Sequence, residues 1–315
     1  MSLPGWIESG TAVYFPAPNA SGIVVVTGAS SGIGKSIALN LDSVNFTVYA
    51  GVRSQESADA LIAERPSLRP LMLDVTDSAS CEAAALEVAR ASASEGLQLI
   101  GLVNNAGISH RLPFEMETLP AVRSMYEVNV LGVFAATLAF LPQLRNASGR
   151  IVNIGSLAGV LATPGSAAYS GTKAALELTT DAMRLELQAA AVSVSLIEPG
   201  YIKTPIAAKQ TGEKAAWNRE EVSQRSSANY GHPDALRELY ADWIGKQDER
   251  RLRMHEAAPT PVIVAAAALH ALVSPKPRTR YVVGNVGQLP AWAVPWAAWI
   301  LPDRLQDRIV TAVFS

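Results

Sequence analysis

Two residues that could transfer a proton, Tyr169 and Lys173, lie four positions apart in the run AAYSGTKAA. Residues i and i+4 share one face of a helix, so a helical segment would point both side chains the same way. An ammonium beside a phenol favours the phenolate, which makes such a tyrosine a general acid or base. The same pair is also common on ordinary helix surfaces, so its meaning depends on the residues that accompany it.

Two further polar residues could complete a proton-transfer site. Ser156 follows the predicted strand IVNIG, at the carboxyl edge where open α/β sheets bind ligands. Its hydroxyl could hold a substrate oxygen, and the alternative is a serine that caps the next helical turn. Asn129 lies inside an apolar helical stretch, where its amide must be satisfied by local backbone or by a water chain.

A glycine-rich turn, TGASSGIG, places Gly28, Gly32 and Gly34 between the first predicted strand and the first predicted helix. Small residues there allow backbone to approach a diphosphate, and the helix N-terminus offers free N–H groups and a positive dipole. The spacing is G-x-x-x-G-x-G rather than G-x-G-x-x-G. A tight strand-to-helix connection without a ligand is the alternative interpretation.

The second and third strand ends indicate which dinucleotide would bind. An NAD site of this design has a carboxylate at the end of the second strand, but VYAGVRS has Arg53 there instead. A guanidinium suits a 2′-phosphate, so we predict NADP(H) in preference to NAD(H), unless Arg53 is only a solvated loop charge. Asp74, after the third strand, could accept a hydrogen bond from the adenine amino group or cap the following helix.

Apolar strand-like runs alternate with helical segments along most of the chain. Six such strands, and a short seventh in RYVVG, predict a parallel sheet buried on both faces. We therefore predict an α/β, doubly wound fold, a single domain with a seven-stranded, mostly parallel sheet. The alternation stops from residue 201 to about 258, which predicts a lid insert at about 204–258, between strands six and seven.

Composition argues against several other classes of protein. A formal net charge of -2, with scattered Lys and Arg, gives no basic surface for nucleic acid. Cys81 is the single cysteine, and the four histidines lack metal-ligand spacing, so we predict no disulfide and no metal site. The N-terminus lacks a signal-peptide pattern, and the longest apolar run, 261–273, is shorter than the roughly 20 residues of a spanning helix. We expect a cytoplasmic protein without a transmembrane segment.

The motifs together resemble those of the short-chain dehydrogenase/reductase family. TGASSGIG, NNAG, Asn129, Ser156, YSGTK and PGYIKT occur in the family's order and spacing, over roughly residues 23 to 284. The resemblance implies a single Rossmann domain for cofactor and substrate, with Asn129, Ser156, Tyr169 and Lys173 as a catalytic tetrad. It also implies that Lys173 bonds the nicotinamide ribose and that Asn129 holds a water connecting Lys173 to solvent.

The motifs and the resemblance define the candidate contacts. Predicted cofactor-binding residues are Gly28, Ser30, Ser31, Gly32, Ile33, Gly34, Arg53, Asp74, Val75, Asn104, Ala106, Gly107, Tyr169, Lys173, Pro199, Gly200, Ile202 and Thr204. Predicted substrate contacts, by position alone, are Ser156, Leu157, His110 and Tyr201.

Within the family, VSLIEPGYIKTP and the C-terminal tail resemble the retinol and hydroxysteroid dehydrogenase branch. We therefore predict an NADP(H)-dependent oxidoreductase that interconverts a hydrophobic secondary alcohol and ketone, with Tyr169 as general acid or base. Alternatives are a non-catalytic NADP(H) sensor or scaffold that binds a partner through the insert, reduction of a different small carbonyl in a biosynthetic pathway, and double-bond reduction or dehydration. The family resemblance also suggests a homodimer or homotetramer.

We divide the chain into an N-terminal extension, 1–22, the main domain, 23–288, and an apolar C-terminal extension, 289–315. Candidate helix faces in the last segment are Trp296, Trp299 and Ile300, after Pro295, and then Leu305, Ile309 and Val313. We favour packing of these residues over the substrate cleft or core. A weak membrane-surface contact or a subunit interface are the alternatives.

Overall fold

Seven strands, most of them rich in Val, Ile and Leu, form one parallel sheet in the computed structural model, which describes residues 22–204, 233–286 and 289–314. They are β1 (Ile23–Val26), β2 (Thr47–Val52), β3 (Arg69–Met72), β4 (Leu99–Asn104), β5 (Arg150–Ile154), β6 (Ser193–Pro199) and β7 (Arg280–Val283). The strand order is β3-β2-β1-β4-β5-β6-β7. β1, β4, β5 and β6 are buried along their whole length, because helices cover both faces of the sheet.

Helices connect the strands and follow the last of them. They are α1 (Gly32–Ser43), α2 (Gln55–Glu64), α3 (Ser78–Glu95), α4 (Leu119–Tyr126), α5 (Gly132–Asn146), α6 (Ala167–Glu186), α7 (Pro233–Glu256), α8 (Val262–Val273), α9 (Ala293–Ile300) and α10 (Asp303–Phe314). Ile37 of α1 and Leu272 of α8 belong to one buried apolar cluster, while Val88 of α3 and Phe140 of α5 belong to a second. The single-domain, doubly wound α/β prediction is confirmed.

The strand order reverses direction next to β1. The chain runs outward from β1 to β2 and β3, and then returns to β4 on the other side of β1 before continuing to β7. The connections above β1 and β4 therefore leave in opposite directions and open a crevice at the carboxyl edge of the sheet. This edge carries the glycine turn after β1, the NNAG segment after β4 and Ser156 after β5.

The predicted long helix before β5 is interrupted. α4 and α5 are joined by one π-helical turn, Glu127–Leu131, which contains Asn129.

The helical stretch Leu119–Asn146 is long and apolar enough by composition to cross a membrane, and half of its most apolar window is buried inside the fold. α5 contributes buried Phe140 and Leu144 to the cluster that also contains residues of α3 and β4, so core packing accounts for much of its apolar character.

Part of the predicted insert is helical. Residues 205–232 lie outside the described part of the chain, and α7 forms the remainder of the insert. Tyr240 and Ile244 of α7 pack against Leu112 and Met116 in the segment after β4. The Tyr240 hydroxyl also donates a hydrogen bond of 2.9 Å to Glu115. α7 thus lies beside the crevice.

The C-terminal segment is joined to the main domain by a small hairpin. Strand β8 (Asn285–Val286) pairs with β9 (Leu289–Pro290), so the predicted boundary at 288/289 falls inside one structural unit. α9 begins before Pro295, which is tolerated in a first helical turn, rather than after it. Val294 is the buried residue of α9, whereas Trp299 is 73% exposed and Ile300 is 62% exposed. The larger part of each of these two side chains is therefore exposed rather than packed on the domain.

Candidate active site

A cavity of about 540 Å³ follows the crevice at the carboxyl edge of the sheet. One end is lined by Arg53 and Asp74, the middle by the glycine turn, and the other end by Ser156 and Tyr169. Its length along this edge brings residues from six strand ends into one space. A dinucleotide and a substrate can therefore lie side by side in it.

The glycine turn is shaped for close approach of a ligand. Gly28 and Gly32 both have positive φ, at 63° and 58°, which glycine adopts without steric cost. Ser31 precedes α1 but its side chain does not cap the helix, so the first N–H groups of α1 face the cavity uncapped. Uncapped N–H groups and the positive end of the dipole suit an anionic diphosphate, and the turn therefore fits a dinucleotide.

Gly34 has a different role from the predicted cofactor contact. A Cβ at Gly34 would overlap the side-chain nitrogen of Asn105 and the carbonyl oxygen of Gly28. Gly34 is absent from the residues that line the cavity, so it permits close packing behind the turn instead of touching a ligand.

The NNAG segment places its two asparagines on opposite sides. Asn104, predicted to bind cofactor, is buried and donates to Thr137 and Asn153, so this prediction is wrong. Asn105 lines the cavity, and its amide donates to the carbonyls of Thr27 and Gly28 at 2.9 and 3.0 Å. Alternation of side chains along β4 turns Asn104 into the core.

Arg53 and Asp74 both line the end of the cavity where the adenosine half of a dinucleotide would lie. Asp74 accepts from the backbone N–H and the hydroxyl of Thr76, at 3.0 and 2.8 Å. The Thr76 backbone bond is the main cause that lowers the pKa of Asp74, and the charge of Arg53 acts in the same direction. The alternative that Asp74 caps the next helix is wrong, since Asp77 caps α3.

Ser156, Tyr169 and Lys173 meet at the opposite end of the cavity. Ser156 Oγ accepts from the Ala158 backbone N–H at 3.1 Å, which leaves its own proton available to donate. Lys173 is buried, donates to the Ile154 carbonyl at 2.7 Å, and has its Nζ 5.8 Å from the centroid of the Tyr169 ring. The sequence-predicted serine, tyrosine and lysine are thus brought together.

Asn129, the fourth member of the predicted tetrad, lies behind the cavity rather than in its lining. Its side chain accepts from Ile108 N–H and donates to Ile108 C=O, both at 2.9 Å, and it also donates to Thr172 at 3.1 Å. Of the two open alternatives, backbone is a direct partner of this amide. Asn129 therefore ties the segment after β4 to α6, one residue before Lys173.

The segment PGYIKT closes the cavity above β6. Pro199, Gly200, Tyr201, Ile202 and Thr204 all line it. Backbone N–H groups of Gly200 and Tyr201 donate to Val283 and Asn285, and Thr204 N–H donates to His255 Nε2 at 2.9 Å. These bonds hold the segment against the β7–β8 region and α7.

The predicted substrate contacts separate into two groups. Ser156, Leu157 and Tyr201 line the cavity, but His110 does not. The His110 ring lies 2.7 Å from a Glu117 carboxylate oxygen, which turns it away from the cleft, so His110 is no longer a candidate.

Sequence reasoning missed several residues that do line the cavity, namely Arg111, Thr163, Arg251, His255 and Val294. No local motif marks these residues, since they come from four separate segments.

A buried pair of carboxyl groups lies one helical turn beyond Lys173. Glu177 of α6 and Glu198 of β6 share a single guanidinium, that of Arg280, at 3.3 and 4.0 Å. Arg280 also binds Asp181 at 2.7 Å, and Arg184 binds Asp181 at 3.0 Å, so three carboxyl groups share two guanidinium groups. Burial, aided by the charge of Glu198, raises the pKa of Glu177 to about 8, and burial raises the pKa of Glu198.

The raised pKa of Glu177 predicts a pH-dependent stability. The folded protein holds a proton that the unfolded chain releases near the ordinary value of 4.5, so stability falls as pH rises from about 5 to 8. The glutamine side chain of Glu177→Gln does not titrate in this range, so the melting temperature of this variant should fall less between pH 5 and pH 8. Thermal unfolding by circular dichroism at pH 5 to 8 measures the slopes. The control is Glu186→Gln, on the exposed side of α6, and equal slopes in Glu177→Gln and the unmodified protein would contradict the assignment.

Similarity to known proteins agrees with this geometry. The family model described as short chain dehydrogenase matches residues 22–215. Mouse (Mus musculus) retinol dehydrogenase 5 is 33% identical over 303 residues, covering 95% of this chain and 89% of the relative. Bovine (Bos taurus) 17-beta-hydroxysteroid dehydrogenase type 6 is 35% identical, covering 91% and 87%. Rat (Rattus norvegicus) mitochondrial D-beta-hydroxybutyrate dehydrogenase is 34% identical, covering 84% and 78%.

The solved structures that resemble this chain are also dehydrogenases. A short-chain dehydrogenase from Streptomyces avermitilis superposes with a TM-score of 0.66 at 28% identity, covering 92% of this chain and 95% of that one. A gluconate 5-dehydrogenase from Burkholderia cenocepacia J2315, in complex with NADP and tartrate, has a TM-score of 0.56 at 25% identity, covering 66% and 82%. The chain therefore belongs to the short-chain dehydrogenase family, in its retinol and hydroxysteroid dehydrogenase branch, and is an NAD(P)-dependent oxidoreductase acting on CH–OH groups.

Proposed function

We propose that the protein is an NADP(H)-dependent oxidoreductase that interconverts a hydrophobic secondary alcohol and the corresponding ketone. The observation that carries the proposal is the position of Ser156, Tyr169 and Lys173 in the same cavity as the glycine turn. Substrate oxygen, proton donor and dinucleotide site then lie within one continuous space. In a cell where NADPH exceeds NADP, carbonyl reduction is the expected direction.

Ser156 and Tyr169 act on the substrate oxygen in this mechanism. Ser156 donates its hydroxyl proton in a hydrogen bond that orients the oxygen, and Tyr169 gives the proton that the reduced oxygen takes up. Lys173 is held by the Ile154 carbonyl, and its positive charge stabilises the phenolate that remains on Tyr169. The bound nicotinamide supplies the hydride in reduction and accepts it in oxidation.

An apolar wall supports a hydrophobic substrate. Leu157 and Leu161, from the loop after Ser156, line the cavity at the end that holds Ser156, together with Val286 of β8 and Val294 of α9. Contact with this wall removes apolar substrate surface from water, which stabilises the complex by about 25 cal/mol for each Å² buried.

The preference for NADP(H) rests on Arg53. This residue follows β2 and lines the cavity, where a carboxylate that would favour NAD(H) is replaced by a positive charge. A guanidinium forms charge-assisted hydrogen bonds with a phosphate, each contributing about 1.5–3 kcal/mol. The relative from Burkholderia cenocepacia has NADP in its structure.

Arg53→Ala is expected to lower kcat/KM for NADPH by about 10- to 100-fold, because one or more charged hydrogen bonds to the 2′-phosphate are lost. The value for NADH, which lacks that phosphate, should change far less. Steady-state kinetics with both cofactors on one ketone measure the difference, and Arg90→Ala, on an exposed part of α3, is the matched control. A preference of the unmodified protein for NADH would refute the assignment of Arg53.

The reaction itself is tested by following substrate-dependent oxidation of NADPH on a panel of steroids, retinoids and aromatic ketones. Turnover of at least one hydrophobic ketone to its alcohol, identified by product analysis, is the expected result. NADPH binding without turnover of any carbonyl would instead favour the sensor hypothesis. Reduction of a carbon–carbon double bond would favour the different redox chemistry.

A further inference from the structure

The substrate end of the cavity carries positive charge that the proposed chemistry leaves unused. Beyond Lys173, the positively charged residues that line this end are Arg111 and Arg251, and His255 also belongs to the lining. His255 accepts a hydrogen bond from Thr204 N–H, so it holds the PGYIKT segment in place. Among the described residues, Asp74 is the only carboxylate in the cavity lining, and it lies at the opposite end beside Arg53.

Arg111 projects from the segment that follows β4. One of its terminal nitrogens donates to the Thr163 hydroxyl at 2.9 Å, and Thr163 itself lines the cavity in the loop after Ser156. In the described part of the chain, no carboxylate forms a salt bridge with Arg111. The partner that orients the side chain is therefore neutral, and no carboxylate among the described residues pairs with its charge.

Arg251 reaches the same space from α7. It binds Asp248 at 2.9 Å and donates from Nε to the Gln247 carbonyl at 3.2 Å, with 12% of its side chain exposed. Burial lowers the pKa of Arg251, the Asp248 carboxylate opposes this, and the charge of Arg111 lowers the pKa further. Arg111 and Arg251 thus line the same cavity, and Asp248 pairs with Arg251.

We propose that Arg111 and Arg251 bind a carboxylate on the substrate, so that the substrate is an apolar ketone or alcohol that also carries a carboxylate, an oxo acid or hydroxy acid. A carboxylate would neutralise the excess charge, and a guanidinium matches its two oxygens with parallel hydrogen bonds. The keto oxygen would lie at Ser156 and Tyr169, and the hydrocarbon between the two groups would contact the apolar wall. This inference rests on the proposed function and narrows its substrate class.

The competing explanation is that these arginines bind the phosphates of the cofactor. The glycine turn and the N-terminus of α1 already form an anion site in the middle of the cavity, and Arg53 lies at the far end. Arg111 is instead bonded to Thr163, a few residues beyond Ser156. We therefore assign the two arginines to the substrate, and make the cofactor an outcome of the test.

The experiment measures NADPH-dependent reduction of 3-oxobutanoate, 4-oxopentanoate and 3-benzoylpropanoate, each compared with its own methyl ester. For at least one of the three, kcat/KM of the acid should exceed that of its ester by about 10- to 100-fold, the loss expected for one charged hydrogen bond. Arg111→Gln and Arg251→Lys should bring this ratio towards one, mainly by raising KM for the acid. Arg253→Gln, an exposed arginine on the same helix, should leave the ratio as it is.

Three results would overturn the inference. They are a preference of the unmodified protein for every ester over its acid, an equal loss for acid and ester in both variants, or a rise in KM for NADPH in place of KM for the acid. Calorimetric titration of 3-benzoylpropanoate into the NADP-loaded protein keeps the two proposals separate. If the unmodified protein turns over neutral ketones but does not bind the carboxylate, the inference is overturned and the proposed function stands. If the unmodified protein binds the carboxylate, both variants lose that binding, and no carbonyl is turned over, only the proposed function is overturned.

Discussion

Replacing Tyr169 with phenylalanine is expected to reduce kcat for ketone reduction by about 100- to 10,000-fold, the usual contribution of a positioned general acid. The aromatic ring, which lies against the Lys173 ammonium, is kept, but the hydroxyl that carries the proton is removed. Because the glycine turn and Arg53 are untouched, the Kd for NADPH should change little. Steady-state kinetics and a fluorescence titration of NADPH measure the two quantities.

Tyr126→Phe is the matched control for this substitution. Tyr126 ends α4, is 39% exposed, and is absent from the cavity lining, so loss of its hydroxyl should leave kcat close to that of the unmodified protein. A Tyr169→Phe variant that reduces the ketone at a near-normal rate would rule out Tyr169 as the proton donor. Equal losses in the two variants would point to a general effect of the substitution on folding.

Gly34→Ala is expected to weaken NADPH binding strongly and to lower the free energy of unfolding by about 1–3 kcal/mol. The added methyl group would overlap the Asn105 amide and the Gly28 carbonyl, and part of that overlap is with backbone that cannot rotate away. The Asn105 amide donates to the carbonyls of Thr27 and Gly28, so its displacement shifts the whole turn. Urea denaturation and NADPH titration measure the two effects.

The same substitution at Gly245 should have the opposite sign. Gly245 lies inside α7 and a Cβ there would meet nothing within 4 Å, so alanine should stabilise the helix by up to about 1 kcal/mol. NADPH affinity should be unaffected. If Gly34→Ala bound NADPH as tightly as Gly245→Ala does, close packing behind the turn would not be what shapes the dinucleotide site.

The strands and most helices could be predicted because their signals are local. β1 is apolar along its length, and α1 carries Ile37 and Leu41 at helical spacing on its buried face. The π-helical turn at Glu127–Leu131 could not be predicted in this way, because a single turn of five residues is too short to define a periodicity of its own. The β8–β9 hairpin was missed because each of its strands has two residues.

The candidate site was predictable to the extent that motif position determines the direction of a side chain. Ser156, Tyr169 and Lys173 were located by a strand end and by helical spacing, and all three line the cavity. The predictions that Asn104 contacts the cofactor and that His110 contacts the substrate were wrong, because the sequence does not show which side chains pack next to these residues. Asn104 faces Thr137 and Asn153 in the core, and His110 pairs with Glu117.

Local chemistry along the chain was enough to predict the strand–turn–helix units and to single out the candidate dinucleotide turn and the candidate proton-transfer residues, because each depends on residues close together in sequence. The placement of Arg111 and Arg251 in one cavity, the ion pairs of Glu177 and Glu198 with Arg280, and the entry of Val294 into the cavity wall depend on folding. These groups are far apart in sequence, and no periodicity relates them. Their contacts are determined by how the sheet, α7 and the C-terminal segment pack, and this packing is what points to an anionic group on the substrate.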